Sequence, residues 1–309
     1  MSILTVTLHP AWDETVFLSP ASRVGDPLTG AWISSAGGKG VNVARALQAL
    51  SCRAEAMVLC GGRNGPRFLA AARDEGLCVW PVPSGVPVRV HTTVVEREKE
   101  RRILGVSRPV ARATGGHVLW AARERISRVR ALLLSGSLPP GLPVDIYAAM
   151  ITMARTRGVP AFLDASGEAL RRGIRARPFG VKINRAEAEG LLGVCISGPS
   201  AWPGALRALL RSGVQIAAVT LGAEGMIAAG PFGAVHVRGL PLEGFSVGCG
   251  DAALAGLVDG LLRGVGEREA FIWSAACGQA NLRARCPGRI ALKDVRRARR
   301  SIEVKGIPV

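Results

Sequence analysis

The sequence predicts an α/β protein, with a mostly parallel central sheet flanked by helices and a small additional β-sheet. Two observations predict the main sheet. Short apolar runs rich in β-branched residues alternate with segments of helical period along the chain, the pattern of repeated strand–helix–strand units. Glycine-rich turns follow several of these runs and open several of the helical segments; in open α/β sheets, ligands bind at such carboxyl ends of strands. The small sheet is predicted by two stretches that break the alternation and read as β-rich.

Taken in order, the predicted strands are Ile3–Leu8, Ala54–Leu59, Ala131–Ser135, Ala161–Asp164, Val181–Ile183 and Ile216–Thr220. Each is a short run of the length and composition of a buried strand. The predicted helices are Val41–Leu50, Gly65–Glu75, Val144–Arg157, Ala201–Arg211, Asp251–Arg263 and Glu267–Arg285. Trp12–Ser35 and Pro87–Val106 are the two β-rich insertions, the second alternating through Val90, Thr92, Val94 and Glu96. They are expected to pair over one end of the main sheet. No repeat, low-complexity tract or long Pro/Gly linker divides the 309 residues, so one domain is expected over 1–309, with insertions at about 12–35 and 87–107.

Composition narrows the function. Hydrophobic residues are 48% and charged residues 20%, a globular balance. No apolar run approaches the roughly 18–20 residues of a membrane-spanning helix, and the first residues do not read as a signal peptide. The seven Cys are odd in number and form no Cys-x-x-Cys pair, which argues against a disulfide framework or structural zinc and for a reducing cytoplasm. The formal net charge of +17 comes almost wholly from Arg. It is spread along the chain, with one Tyr and seven Phe for base stacking, which argues against a nucleic-acid interface; an Arg-for-Lys bias explains the charge equally well, and it would suit an anionic substrate. The densest cluster, Lys293–Arg300, reads as a solvated helix face. With four His and no Gly-x-Ser-x-Gly elbow, a Ser/His/Asp hydrolase is disfavoured.

Ala36-Gly37-Gly38-Lys39-Gly40-Val41-Asn42-Val43-Ala44-Arg45 opens a helix on glycines. Such a turn lets backbone approach a ligand and aims free N–H groups at an anion; Lys39 adds a point charge and Asn42 a hydrogen-bonding amide. Gly40 follows Lys39 where a Walker loop needs Ser or Thr, and a plain tight turn at a helix start fits the glycines equally well. In Val247-Gly248-Cys249-Gly250-Asp251, glycines again open a helix. There Asp251 is either an ordinary first-turn cap or a base beside a charge-stabilising turn. Lys182-Ile183-Asn184-Arg185-Ala186-Glu187 offers hard oxygen donors for magnesium in Asn184 and Glu187, or a reciprocal capping box. Thr220, Gly222 and Gly225 form a further glycine turn after a strand.

The order and spelling of these motifs resemble the PfkB-type carbohydrate kinases of the ribokinase superfamily across nearly the whole chain. Thr7–Asp13 is similar to that family's opening strand, Gly37–Gly40 with Asn42 to its first signature, and Val247–Asp251 to its second. Ser135-Gly136-Ser137-Leu138-Pro139-Pro140-Gly141 and Asp164-Ala165-Ser166-Gly167-Glu168-Ala169-Leu170 resemble the branch that phosphorylates ketose phosphates. The resemblance implies a ribokinase-like fold with a β-sheet lid and an ATP- and Mg2+-dependent kinase. It implies Asp251 as catalytic base, with the amides of Gly248, Cys249 and Gly250 as anion hole. Asp13, Gly37, Gly38 and Asn42 would meet the sugar, and Lys39, Arg89 and Ser137 the substrate's existing phosphate. Lys182, Asn184, Thr220, Gly222 and Gly225 would meet the nucleotide, and Asn184 with Glu187 the magnesium, through water. The lid implies a homodimer contact. The chain departs from the family at His9, Val88, His91, Ile183 and Cys249, which stand where Asn, Thr, Asn, Pro and Ala are usual. The altered lid and Cys249 motivate the rival expectation of a catalytically degenerate sugar-phosphate sensor or binding partner.

Overall fold

The structure, a computed structural model, describes residues 1–19, 29–96, 99–240 and 242–309. Along the first half of the chain run β1 (Ser2–Thr7), β2 (Ala11–Leu18), β3 (Gly30–Gly37), α1 (Lys39–Ala49), β4 (Ala54–Cys60), α2 (Gly65–Asp74), β5 (Cys78–Pro83), β6 (Arg89–Glu96), β7 (Lys99–Leu104), α3 (Thr114–Ile126), β8 (Val129–Ser135) and α4 (Ile146–Arg155). There follow β9 (Ala161–Asp164), α5 (Gly167–Arg175), β10 (Gly180–Asn184), α6 (Arg185–Leu192), α7 (Trp202–Arg211), β11 (Ile216–Thr220), β12 (Met226–Gly230), β13 (Gly233–Arg238), α8 (Cys249–Arg263), α9 (Glu267–Asn281), α10 (Leu292–Arg299) and β14 (Glu303–Ile307).

The large sheet has the order β14-β13-β12-β11-β10-β9-β8-β1-β4-β5. Strands β5 to β11 in that row pair in parallel, while β11 to β14 are joined antiparallel. All six residues of β1 are buried, because parallel strands are covered on both faces and need no alternation. One face carries Leu4, Val6, Leu132, Leu134 and Leu163 against Val118 of α3, Tyr147 of α4 and Leu206 of α7. The other carries Ile3, Leu133 and Phe162 against Val43 and Leu47 of α1, Leu254 and Val258 of α8 and Cys277 of α9. Each large apolar side chain fully buried in these layers contributes about 1.5–3 kcal/mol of transfer free energy.

The second sheet has the order β3-β2-β6-β7. Its two halves come from the two β-rich insertions and meet where β2 pairs in parallel with β6, Ala11 opposite Arg89. Residues 20–28 of the first insertion and 97–98 of the second lie outside the described residues. The sheet touches the segment leading into α8. Ser246 donates its backbone N–H to Glu100 Oε1 at 2.7 Å and its hydroxyl to Oε2 at 3.0 Å, and Phe17 meets Phe245 edge to face at 5.8 Å.

Every predicted strand and helix forms. The helix predicted over Glu267–Arg285 stops at Asn281, because Leu282, Arg283 and Ala284 turn back onto Gln279, Ala280 and Asn281. Lys293–Arg300 is the solvated face expected: α10 buries Val295 and Ala298 and leaves Arg296 and Arg297 exposed. Among the described residues no helix is long and apolar enough to cross a membrane.

Candidate active site

The carboxyl ends of β1, β8, β9, β10 and β11 and the first turns of α1 and α8 bring the functional side chains together. Gly248 caps α8 with φ 89°, a left-handed conformation that suits glycine. A Cβ there would fall 2.8 Å from Pro287 Cα. The amides of Gly248 and Gly250 have no hydrogen-bond partner among the described residues, whereas the Cys249 N–H donates to Ser246 O at 3.2 Å. Two of the three amides expected to form an anion hole are thus free, at a helix end whose partial positive charge attracts anions.

Asp251, in the first turn of α8, is buried and accepts a hydrogen bond from Asn42 Nδ2 at 2.8 Å. Burial, then the Asp164 carboxylate, push it up to about 6, against the pull of Lys39, Lys182 and the Asn42 amide. A carboxylate so poised takes up a proton near neutrality, the property a general base acting on a hydroxyl would use. Asn42, expected at the sugar, is committed to Asp251 as well.

Asp164, at the end of β9, has no exposed side-chain surface and joins two cations. Lys39 donates to its Oδ1 at 2.8 Å and Lys182 to its Oδ2. Lys182 also donates to Gly250 O at 3.1 Å, tying the pair to the α8 turn. Burial alone would raise the Asp164 carboxyl, but the two ammonium groups hold it below the ordinary carboxylate range. Lys39 is held charged in spite of its own burial by Asp164, Glu187 and Asp251. In the sequence Asp164 carries no assigned role; its signals are a carboxylate ending a buried strand and its place at the head of the Asp164–Leu170 motif.

On the sugar side, Asp13 lies over Gly37, where any Cβ would fall 1.8 Å from Asp13 Oδ2. His91 Nδ1 sits 3.5 Å from Asp13 Oδ1. Gly38 caps the start of α1 next to Thr7. Arg89 donates to His9 O at 3.2 Å and keeps its buried Nε without a partner. His9 bridges Ser137 (Nδ1 to Oγ, 2.8 Å) and Ser107. Burial, with Arg89 and His91 nearby, lowers it to about 4 and keeps it neutral. His9 thus gathers Arg89 and Ser137, while Lys39, expected with them, turns to Asp164 and packs its stem against Gly136.

On the nucleotide side, Asn184 stands opposite Thr220 in the β10–β11 register. Gly222 opens the turn after β11 with φ 66°, and Gly225 lies against Val237. Asn184 and Glu187 form the reciprocal capping box: Glu187 N–H donates to Asn184 Oδ1 and Asn184 N–H to Glu187 Oε2, both at 2.9 Å. Glu187 Oε1 also lies 3.5 Å from Lys39 Nζ. Among the described residues no three His, Cys, Asp or Glu gather as a metal cage. The donors that remain fit magnesium, which keeps most of its waters and takes one or two carboxylates plus phosphates.

Cys249 begins α8 with its thiol pushed up to about 11, mainly by burial. Asn281, a residue the motifs did not flag, fixes the loop before it by donating to Val247 O and accepting from Gly288 N–H, both at 2.8 Å.

A buried, near-neutral carboxylate at a glycine-capped helix start, flanked by two lysines, is the equipment of a phosphotransferase acting on a hydroxyl group. The chain belongs to the pfkB family of carbohydrate kinases, whose pattern matches residues 16–290. It is 30% identical to a 1-phosphofructokinase of Xanthomonas campestris pv. campestris, covering 100% of this chain and 99% of that protein. It is 28% identical to an ATP-dependent 6-phosphofructokinase isozyme 2 of Mycobacterium tuberculosis, over 85% of this chain and 78% of that one. Among solved structures, phosphofructokinase-2 of Escherichia coli in complex with substrates and products superposes with a TM-score of 0.86 at 25% identity, over 97% and 99% of the two chains. A possible 1-phosphofructokinase of Thermotoga maritima superposes at 0.87 and 23% identity over the whole of both chains, a likeness of fold.

Proposed function

We propose that this kinase transfers the γ-phosphoryl group of ATP to a ketose phosphate, fructose 1-phosphate at its 6-hydroxyl being the favoured substrate and tagatose 6-phosphate the next candidate. The observation that carries the reading is Asp251: buried, poised near neutrality, and flanked by Lys39, Lys182 and the free amides of Gly248 and Gly250. The Xanthomonas relative, alike over its full length, supports the choice of sugar.

Asp251 accepts the proton of the sugar hydroxyl as its oxygen attacks the γ-phosphorus and ADP leaves. The Gly248 and Gly250 amides and the start of α8 offset charge on the transferring group. Asp13, Gly37, Gly38 and Asn42 orient the sugar, and Arg89 with Ser137 meets its existing phosphate from the side that His9 organises. Lys39 joins that contact from its place on Asp164. Lys182, Asn184, Thr220, Gly222 and Gly225 hold the nucleotide. Asn184 and Glu187 would hold Mg2+ through water, and a bound ion would offset phosphate charge. The β2-β3-β6-β7 sheet acts as a lid that excludes water, and its outer face pairs with a second copy. The seven free thiols support a cytoplasmic setting.

A coupled ADP-release assay with Mg2+ and ATP, run over fructose 1-phosphate, tagatose 6-phosphate, fructose 6-phosphate, fructose, ribose and adenosine, tests the reading. Turnover confined to one ketose phosphate is expected, and Asp251→Asn should lower it by about 10²–10⁴-fold. Turnover only on unphosphorylated sugars would overturn the roles of Lys39, Arg89 and Ser137. Sugar-phosphate binding with no turnover would replace the kinase by a sensor.

A further inference from the structure

Asn42 meets Asp251 through an amide with two possible orientations, and only one is useful. With Nδ2 toward Asp251 it donates; turned over, it would set Oδ1 against a carboxylate. The neighbour that decides is Arg45, one turn further along α1. Arg45 is 4% exposed, and all five of its N–H donors have acceptors. Nε and Nη2 reach the two carboxylate oxygens of Glu75, the residue that ends α2. Nη1 donates to Asn42 Oδ1 at 3.0 Å and to Pro287 O at 2.7 Å, and Nη2 to Ala36 O at 2.6 Å. Turning the Asn42 amide would place its NH2 against the guanidinium and its oxygen against Asp251, unfavourable at both ends.

The other bonds of Arg45 act on the same centre. Ala36 directly precedes Gly37, over which Asp13 lies, and Pro287 backs Gly248 at the start of α8. One guanidinium thus ties the sugar-side glycine turn, the phosphate-side glycine turn and the Asn42 amide to the carboxylate that caps the C-terminal end of α2.

We propose that Arg45, anchored by Glu75, is a positioning residue of the catalytic centre, fixing the Asn42 amide so that it donates to Asp251 and holding the two glycine turns in register. The proposal rests on the reading of Asp251 as the base. The groups facing Asp251 are Asn42 and Lys39 of α1, Asp164 of β9 and Lys182 of β10. Arg45 reaches it only through Asn42. A lysine at 45 keeps the charge but supplies three donors from one point, so it cannot serve Glu75, Asn42, Pro287 and Ala36 together.

The test follows the Asp251 carboxyl carbon by 13C NMR titration of the full chain without substrates, alongside the pH dependence of kcat. Because the Asn42 hydrogen bond lowers the Asp251 midpoint, Arg45→Lys should raise it by roughly half a unit or more. It should also move the acid limb of kcat the same way and lower kcat by roughly 10- to 100-fold, as small misplacements do. KM for ATP should stay within about twofold, because Arg45 touches no part of the nucleotide side. In an Asn42→Ala background the same substitution should add nothing to the Asp251 midpoint. An equal shift in both backgrounds, or no shift in either, would overturn the proposal. If Arg45→Lys does not fold, Glu75→Gln replaces it in the same two backgrounds, with a smaller shift of the same sign expected only where Asn42 is present. Since the midpoint is read without turnover, an active Asp251→Asn variant would remove the base and leave the Arg45 result standing. An unmoved midpoint would remove the positioning role and leave the base.

Discussion

Asp251, the proposed base, is held between two tendencies, burial and Asp164 on one side and Lys39, Lys182 and Asn42 on the other. The kinase is expected to lose kcat as pH falls through about 6, where Asp251 takes up its proton, and a pH–kcat profile at saturating substrates checks the limb. The same shift has a stability cost of definite sign. The folded midpoint lies above the ordinary carboxylate value, so the folded state binds the proton more tightly than the unfolded one. Its contribution is fully present below about pH 4 and is lost as pH rises through about 6. Asp251→Asn should therefore match the natural protein in thermal stability near pH 4 and exceed it above pH 7, by up to about 3 kcal/mol. Equal melting temperatures at both pH values would contradict the buried, raised carboxyl. The glycine turns were legible in the sequence because their chemistry is local, and Asp251 through the resemblance of its motif, since local chemistry alone left it open as a cap. Asp164 and Arg45 were not, because their roles depend on partners 125, 30 and 242 residues away.

At the scale of elements, the contact between β7 and the segment before α8 couples the small sheet to the phosphate-side turn. Although burial opposes it, the Ser246 N–H, Arg102 and the Ser246 hydroxyl hold the Glu100 carboxyl below its ordinary range, so it is ionised near neutrality. Glu100→Gln replaces one of the two acceptor oxygens with a donor and weakens the other. Amide exchange along β7 should quicken by roughly tenfold and KM for the sugar phosphate should rise, with kcat within about twofold. Unchanged exchange would mean the latch contributes nothing to closure. The elements that carry the site were readable from apolar runs and helix-opening glycines. Those that escaped had local signals pointing elsewhere. β5 holds Pro81 and Pro83, residues tolerated because it is an edge strand. β12 and β13 are short and rich in Ala and Gly, and α3 begins with Gly115 and Gly116. Their places are set by the sheet around them.

Across the whole molecule, the +17 charge surrounds a site whose proposed substrates are all anions, a field that raises encounter rates and weakens with added salt. The small sheet carries exposed Trp32, Ile103 and Leu104, at 60%, 66% and 65%. They are apolar surface of the kind that pairing of two copies would cover. Sedimentation velocity should find a dimer that Ile103→Arg dissociates; a natural protein that stays monomeric at tens of micromolar would reject lid-to-lid pairing. The order of strands has one more consequence. β1, among the earliest segments of the chain, lies between β4 and β8, and the groups around Asp251 come from α1, β9, β10 and α8. In chain order, Lys39, Asp164 and Lys182 all precede the end of β10, whereas Asp251 arrives only with α8. On the proposed reading of Asp251, phosphoryl transfer therefore waits on the docking of α8.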